Sequence, residues 1–246
     1  MSILETVTSP YNDITVYETN MIDGLTGRYR CLRFADDAVQ GALDLKNRQR
    51  VVLGYQRAII GLMETLEPSF ENAFVIGHGI GTIADFFRDR TVKTAEIDEA
   101  IVELSRKYFH SRADFVAIGD GRQLLGEELP GTLDFIILDA FTDKGTPLHL
   151  MSSGFFQLAA QKLNPGGAIL FNAMGKPKND RLVDAIHTTI RKSFAYVKVF
   201  SLPVEKETDI RNMIFVGSDK PLALRVKDVP GLHEVVPGEG HLIQDH

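Results

Sequence analysis

The stretch Val75–Phe87, VIGHGIGTIADFF, decides the fold of this chain. An apolar run ends in three glycines at alternate positions, Gly77, Gly79 and Gly81, and a helical spacing of apolar residues follows. This pattern is typical of a strand that turns sharply into a helix. Glycines remove side chains where the backbone comes close to a ligand, and the start of the helix offers unpaired N–H groups. The sequence therefore predicts a ligand-binding loop here, with a tight packing turn as the alternative.

The order of apolar segments around this loop predicts a mostly parallel sheet with helices on both faces. Strand-like runs alternate with amphipathic helical stretches from residue 50 onward, and two further strand candidates cover 196–202 and 211–217. Before residue 48 the pattern instead alternates as in antiparallel strands. We therefore expect a small N-terminal β unit over residues 1–48 and a seven-stranded Rossmann-like domain over 49–246.

The composition excludes several classes of protein. The chain has 246 residues with 44% hydrophobic and 24% charged residues, and its formal net charge is −6. The absence of a Lys/Arg-rich stripe argues against nucleic acid as a partner. No apolar stretch is long enough to suggest a membrane span, so we expect a cytosolic protein. With Cys31 as its single cysteine and no His/Cys cluster, the sequence predicts neither an internal disulfide nor a metal site.

Acidic residues follow three of the predicted strands, where ligands of such folds bind. Glu96 lies about 20 residues beyond the first glycine and suits the ribose hydroxyls of a nucleoside, whereas Asp98 suits a helix N-cap. Asp120 can accept a hydrogen bond from an adenine amino group, and Gly121 leaves room for the ring. Asp139 follows the buried-looking run FIIL. A nicotinamide dinucleotide fits less well, because its fingerprint needs glycine or alanine at the position of Thr82.

Seven segments of the chain together carry a resemblance to one protein family. The resemblance covers about residues 9–217. It rests on GHGIGT (77–82), AEIDEAIVELSRKYF (95–109), IGDGRQLL (118–125), DFIILDAF (134–141) and KLNPGGAIL (162–170), and on the N-terminal segments SPYNDITVYET (9–19) and VQGALDL (39–45). With these segments the chain resembles the spermidine synthase (polyamine aminopropyltransferase) family, on the class I S-adenosylmethionine-dependent transferase fold. These N-terminal segments separate the family from generic methyltransferases.

The resemblance implies a role for individual residues. Gln40 and Tyr55 would border the donor and acceptor pockets, although alone they suggest only a strand surface and a helix core position. Glu96 would hold the ribose, Asp120 and Gly121 the adenine, and Asp139 would be the catalytic acid residue. The donor would be decarboxylated S-adenosylmethionine or S-adenosylmethionine, the acceptor a small amine, and the protein a homodimer joined through its N-terminal strands.

Two departures from the family pattern concern the substrate. The family usually carries an aspartate inside the glycine loop, where this chain has Ile80, and a second aspartate three residues after the catalytic one, whereas Asp143 is four residues after Asp139. A polyamine needs paired carboxylates to replace the hydration of its ammonium groups. The segment DAFTDKGTPLHL is closer to a spermidine-synthase-like branch with less defined acceptors, and Asp143 and His149 are its candidate substrate-binding residues.

The shared chemistry requires a base, because an alkyl amine has a pKa of about 10.4 and arrives as ammonium. Asp139 is the predicted proton acceptor and Tyr55 an orienting residue, with His78 and His149 as alternative bases. We expect aminopropyl transfer from decarboxylated S-adenosylmethionine, with methyl transfer from S-adenosylmethionine as the alternative. A nicotinamide-dependent oxidoreductase and a catalytically silent nucleoside-binding protein are the hypotheses from other classes.

Overall fold

The computed structural model describes residues 1–35, 38–142, 145–203, 209–224 and 231–245. Two sheets organise these residues. The strands are β1 (Ser2–Thr8), β2 (Asp13–Ile22), β3 (Leu25–Arg33), β4 (Val39–Asp44), β5 (Asn72–Ile76), β6 (Thr91–Glu96), β7 (Phe115–Ile118), β8 (Leu133–Leu138), β9 (Leu163–Gly175), β10 (Tyr196–Ser201), β11 (Arg211–Ser218) and β12 (His233–Val235). The helices are α1 (Gly54–Leu66), α2 (Thr82–Phe86), α3 (Glu99–Phe109), α4 (Gly121–Glu127), α5 (Ser153–Lys162) and α6 (Arg181–Ile190), with a 3₁₀ turn at Leu148–Leu150.

The first sheet is an antiparallel meander of the strands β1 to β4 in chain order. Its apolar side chains Ile14, Val16 and Leu32 form a cluster with residues of α3 and with Ile80 of the glycine loop. Alternate residues of β2 thus face this cluster, as the period of two requires. The meander therefore lies against the glycine loop and α3, and the turn between β1 and β2 comes close to the carboxyl end of β6.

The second sheet has eight strands in the order β12-β10-β11-β9-β8-β5-β6-β7. Strands β5 to β9 pair in parallel, whereas β11, β10 and β12 are antiparallel to their neighbours. Successive residues of β5 belong to different cores: Phe74 and Ile76 to the core that includes α5 and α6, Ala73 and Val75 to the core that includes α1. Helices therefore cover both faces, and the predicted fold class is confirmed.

The sequence predicted seven strands for this sheet, and the structure adds an eighth. The three-residue strand β12 pairs with β10 in register Val199↔Val235. Such a short strand within a Pro/Gly-rich tail carries no alternating pattern for sequence reasoning to detect. The domain boundary at residue 48 stays a prediction. The last strand of the first sheet, β4, ends at Asp44, and the first strand of the second sheet, β5, begins at Asn72.

The strand order creates a crevice at the carboxyl ends of β5 and β8. The chain leaves β5 toward β6 on one side and later returns to β8 on the other side. Ligands of open α/β sheets bind at such a switch point. Within the described ranges, no helix is long and apolar enough to span a bilayer.

Candidate active site

The glycine loop follows β5 and touches the end of β8. Gly77 has a φ of +99°, and a Cβ there would lie 2.2 Å from the carbonyl oxygen of Asp139. Gly81 has a φ of +86°, and its Cβ would lie 2.2 Å from Ser111 Oγ. Both positions thus require glycine for conformation and for space. Ile80, at the place of the family's loop aspartate, is buried and packs against Gly41 of β4.

Backbone N–H groups hold the carboxylate of Glu96 at the end of β6. His78 N donates to Oε2 over 2.9 Å, and Asp98 N donates to Oε1 over 3.0 Å. Burial raises the pKa of Glu96, and these N–H groups act in the opposite direction. Asp98 accepts from Ala100 N and is the N-cap of α3. Glu96 therefore presents an oriented carboxylate with free lone pairs to the cavity.

Asp120 lies at the end of β7 and contacts His149. Its Oδ1 accepts from Gln123 N over 2.9 Å and caps α4, while its Oδ2 lies 2.8 Å from His149 Nε2. A Cβ at Gly121 would lie 2.3 Å from Ile76 Cγ2, so a side chain there would not fit. Ile97 lines the same cavity with 42% of its surface exposed, an apolar surface suited to a flat ring. This end of the cavity can accept hydrogen bonds from a purine amino group.

Asp139, at the end of β8, lies at the other end of the cavity. Asn172 Nδ2 donates to Asp139 Oδ1 over 2.8 Å, and Asn212 Nδ2 donates to Asn172 Oδ1 over 3.1 Å. Burial raises the pKa of Asp139 to about 6, although hydrogen bonds from Asn172 and Tyr55 lower it. Sequence reasoning missed Asn172 and Asn212. The only signal for Asn172 is a polar residue inside the apolar run of β9.

Tyr55, in the first turn of α1, forms a hydrogen bond with the same carboxylate. Burial and the negative charge of Asp139 raise the pKa of Tyr55 well above 10. Its hydroxyl lies 3.4 Å from the carbonyl oxygen of Gln40, and Gln56 Nε2 donates to it over 3.3 Å. Gln56 lines the cavity at 4% exposure, and its Oε1 has no partner among the described residues. Gln56 is a second functional candidate that the sequence did not single out.

One cavity brings together every predicted site residue that the structure describes. Its lining includes Gln40, Tyr55, Gly77, Gly79, Gly81, Glu96, Asp120, Gly121, Asp139 and His149. Asp143 lies outside the described residues. His149 lies at the Asp120 end of this cavity, and its imidazole pairs with that carboxylate. Their roles in binding and catalysis stay predictions.

His78 lines the cavity as well, but its ring forms a hydrogen bond with Ser105 of α3. Ser105 Oγ donates to the carbonyl oxygen of Val102 and lies 2.9 Å from His78 Nε2, so Nε2 carries the hydrogen that Ser105 accepts. Burial and the charge of Arg106 lower the pKa of His78 to about 4. This makes His78 a weak base. No group of three or more His, Cys, Asp or Glu residues that could hold a metal occurs in the part of the chain that the structure describes.

Solved structures with a similar fold include a probable spermidine synthase. The structure is similar to that of a probable spermidine synthase from Corynebacterium glutamicum ATCC 13032, with a TM-score of 0.76, 22% identity, and coverage of 89% of this chain and 81% of that chain. At this identity the likeness shows the fold.

Two curated relatives extend the comparison to sequence. A polyamine aminopropyltransferase from Vibrio vulnificus is 29% identical over 219 residues, which are 83% of this chain and 69% of the relative. Putrescine N-methyltransferase 3 from Nicotiana tabacum is 27% identical over 176 residues, which are 67% of this chain and 43% of the relative. The chain thus spans about two thirds of the length of the first relative and less than half of the length of the second.

The family model of the spermine/spermidine synthase domain matches residues 52–224, which is more than half of the chain. This match includes the glycine loop and the strand ends that carry Glu96, Asp120 and Asp139, so the resemblance seen in the sequence motifs is confirmed. The chain belongs to the spermine/spermidine synthase domain family.

Proposed function

We propose that this protein transfers an aminopropyl group from decarboxylated S-adenosylmethionine to a small amine. The observation that carries the proposal is Asp139, a carboxylate with a pKa raised to about 6 that shares one cavity with Glu96. The relatives named polyamine aminopropyltransferases support this choice of reaction.

The donor supplies a carbon bonded to a positively charged sulfur. The amine nitrogen forms a bond to that carbon as the carbon–sulfur bond breaks, and the bonding pair leaves with the sulfur as methylthioadenosine. The nitrogen can attack only after its ammonium form has lost a proton. Asp139 takes that proton in our proposal, because its carboxylate is ionised at neutral pH, above its pKa of about 6.

The raised pKa of Asp139 makes this proton transfer less unfavourable. A carboxylate of ordinary pKa, 3.8, is a weaker base than Asp139 by about 2 pKa units, which corresponds to about 3 kcal/mol of driving force. Asn172 keeps one oxygen of the carboxylate in place. Tyr55 and Gln56 would orient the amine beside it. The site thus combines a positioned base with a surface for alignment of nucleophile, carbon and sulfur.

At the other end of the cavity we assign Glu96 to the ribose hydroxyls and Asp120 with Gly121 to the adenine ring. The backbone of the glycine loop, at Gly77, Gly79 and Gly81, would pass along the donor, and Gln40 would border it from the N-terminal sheet. Charge-assisted hydrogen bonds to a fixed carboxylate such as Glu96 are stronger than neutral ones. Donor binding would therefore depend most on Glu96.

Methyl transfer from S-adenosylmethionine is the second candidate. A putrescine N-methyltransferase is among the relatives, and Ile80 gives the glycine loop no carboxylate for a lone donor ammonium. The same base and alignment would serve both reactions.

Parallel incubations with the two donors and a panel of amines, including putrescine, cadaverine and spermidine, test the proposal by mass spectrometry. We expect methylthioadenosine and a product that has gained one aminopropyl group, formed only with decarboxylated S-adenosylmethionine. Methylated amine from S-adenosylmethionine, without aminopropylated product, would replace the proposal by the methyltransferase. If nucleoside binds but neither product forms with any amine of the panel, the result would favour a silent nucleoside-binding protein over both transferases for these acceptors.

The resemblance further suggests a homodimer joined through β1 to β4, and we include this assembly in the proposal together with a cytosolic location. Sedimentation of the purified protein at micromolar concentration measures how many chains the assembly contains. A mass of one chain would contradict it.

A further inference from the structure

The C-terminal residues 231–245, here called the C-terminal strap, follow the region that the family model matches and have no predicted role. After β12 the strap crosses α6 through backbone hydrogen bonds. Gly238 N donates to Asp184 Oδ1, Gly240 N to Thr188 Oγ1 and Ile243 N to Thr189 Oγ1, over 2.7, 2.8 and 3.0 Å. These three contacts with one helix fix the path of the strap.

Packing reinforces this path. Ile243 is 7% exposed and belongs to the main core beside α5 and α6. A Cβ at Gly240 would lie 2.3 Å from the backbone nitrogen of Ala185, so only glycine allows the strap to lie this close to α6. The strap is therefore an integral part of the fold.

The strap ends with Asp245 at the N-terminus of α5. Asp245 Oδ2 accepts from Gly154 N over 3.0 Å, and Oδ1 accepts from Ser152 Oγ over 2.7 Å. Arg122 forms an ion pair with the same carboxylate. Hydrogen bonds from Arg122 and Ser152 hold the pKa of Asp245 below its usual range, so the carboxylate is charged at neutral pH.

Arg122 connects Asp245 to the cavity. Besides the ion pair, its Nη1 donates to the carbonyl oxygen of His149 over 3.0 Å. The imidazole of His149 lies 2.8 Å from Asp120 Oδ2, the oxygen that remains free of the α4 cap. The contacts thus run from Asp245 through Arg122 and His149 to Asp120. Each of these last two residues lines the donor end of the cavity.

We propose that Asp245 is a positioning residue for the donor: through Arg122 it holds the segment 147–152 so that His149 and Asp120 form the adenine end of the cavity. The proposal rests on the proposed function, because it takes the ligand to be an adenosine compound. Asp245 itself touches no ligand. Its loss should leave Arg122 without its carboxylate partner and let the segment 147–152 open more often.

The substitution Asp245→Asn tests this, because it keeps the shape of the side chain and removes its charge. Gln244→Ala is the matched control: Gln244 is the neighbouring strap residue, accepts a hydrogen bond from Ser153 Oγ and does not contact Arg122. Two measurements apply to both variants, namely calorimetric titration with methylthioadenosine and amide hydrogen exchange of a peptide covering residues 148–156.

We expect Asp245→Asn to weaken methylthioadenosine binding by about threefold to tenfold, as for the loss of one charged hydrogen-bond partner. Exchange of the peptide should accelerate in this variant, and Gln244→Ala should match the wild type in both measurements. In turnover assays the loss should appear in KM for the donor and not in kcat.

Unchanged affinity and exchange in Asp245→Asn would overturn the positioning role. So would equal losses in both variants, since they would indicate general weakening of the strap. If the wild type binds no methylthioadenosine, the proposed function fails instead, and hydrogen exchange alone then decides whether Asp245 holds the segment.

Discussion

The two ends of the cavity are built in different ways. At the donor end, backbone N–H groups hold the carboxylates: two N–H groups donate to Glu96, and one donates to Asp120. At the acceptor end, around Asp139, the carboxylate is held by side chains: Asn172 donates a hydrogen bond to Asp139, and Asn212 donates one to Asn172. The carboxylates of the donor end are thus oriented by turns and caps, with His149 as a further contact of Asp120, whereas Asp139 is oriented entirely by side chains of other elements.

From this difference we expect the donor end to contribute to ligand affinity and the acceptor end to contribute to proton transfer. A carboxylate that is held in place by backbone N–H groups can accept hydrogen bonds from a ligand without rearrangement, which favours affinity. A carboxylate buried among neutral side chains keeps a raised pKa and favours proton transfer. If the comparison is right, substitutions at the two ends should change different measured quantities.

Asp139→Asn should produce the largest effect. The amide keeps the shape and can still accept from Asn172, but it cannot take a proton, so turnover should fall by about 10²–10⁴. Methylthioadenosine affinity, measured by calorimetry, should change less than about twofold, because the donor end is untouched. Near-normal turnover would make Asp139 a structural residue and break the division between the two ends.

Glu96→Ala should show the opposite pattern. It removes the carboxylate proposed for the ribose hydroxyls, and nucleoside affinity should fall by about 2–3 kcal/mol. Glu99→Ala is the control, since Glu99 lies three residues further along on the exposed side of α3. Circular dichroism should show both variants folded. Equal methylthioadenosine affinity in the Glu96 variant and the control would reject the assignment.

Asp139→Asn should also stabilise the fold above pH 6. In the unfolded chain the aspartate ionises near its ordinary pKa of 3.8, but in the folded protein only near 6. Folding therefore opposes ionisation, and the penalty grows from pH 4 to 6 to at most about 3 kcal/mol. Because Asp139 is partly exposed to solvent, we expect a gain of about 1–2 kcal/mol at pH 8 in urea unfolding. The gain should vanish at pH 4, and an equal gain at both pH values would contradict this origin.

The pH dependence of turnover sharpens the assignment of the base. Protonated Asp139 cannot accept a proton, so kcat/KM should fall about tenfold per pH unit below pH 6. Asn172→Ala removes a hydrogen bond that lowers the pKa of Asp139, so this fall should begin at higher pH. A value of kcat/KM that stays constant down to pH 5 would point to another base. So would a fall that begins at the same pH in Asn172→Ala as in the wild type.

The site residues that the sequence could predict differ from those it missed in how they come to lie at the site. Glu96 ends β6, and Asp120 and Asp139 follow β7 and β8. The strand order brings the carboxyl ends of these strands to one edge of the sheet, so local patterns were enough to predict that the three residues lie near one another. Asn212 and Gln56 carry no such pattern. Asn212 contacts Asn172 only through the pairing of β9 with β11, and Gln56 reaches the cavity only through the packing of α1.

The strap illustrates the same limit in the fold. Its contacts with α6 use backbone N–H groups of Gly238 and Gly240, and the short strand β12 has only three residues. A Pro/Gly-rich tail of this kind has no periodicity from which a path could be predicted. The confirmed sheet class, by contrast, follows from long apolar runs that alternate with amphipathic helices.

A crystal structure with bound methylthioadenosine tests the central claim most directly, because it places the ligand relative to both ends at once. The account predicts that the ribose hydroxyls contact Glu96, the adenine amino group contacts Asp120 with the ring against Ile97, and the thioether sulfur faces Asp139. A nucleoside bound outside this cavity, or bound in it with the sulfur directed away from Asp139, would contradict the account.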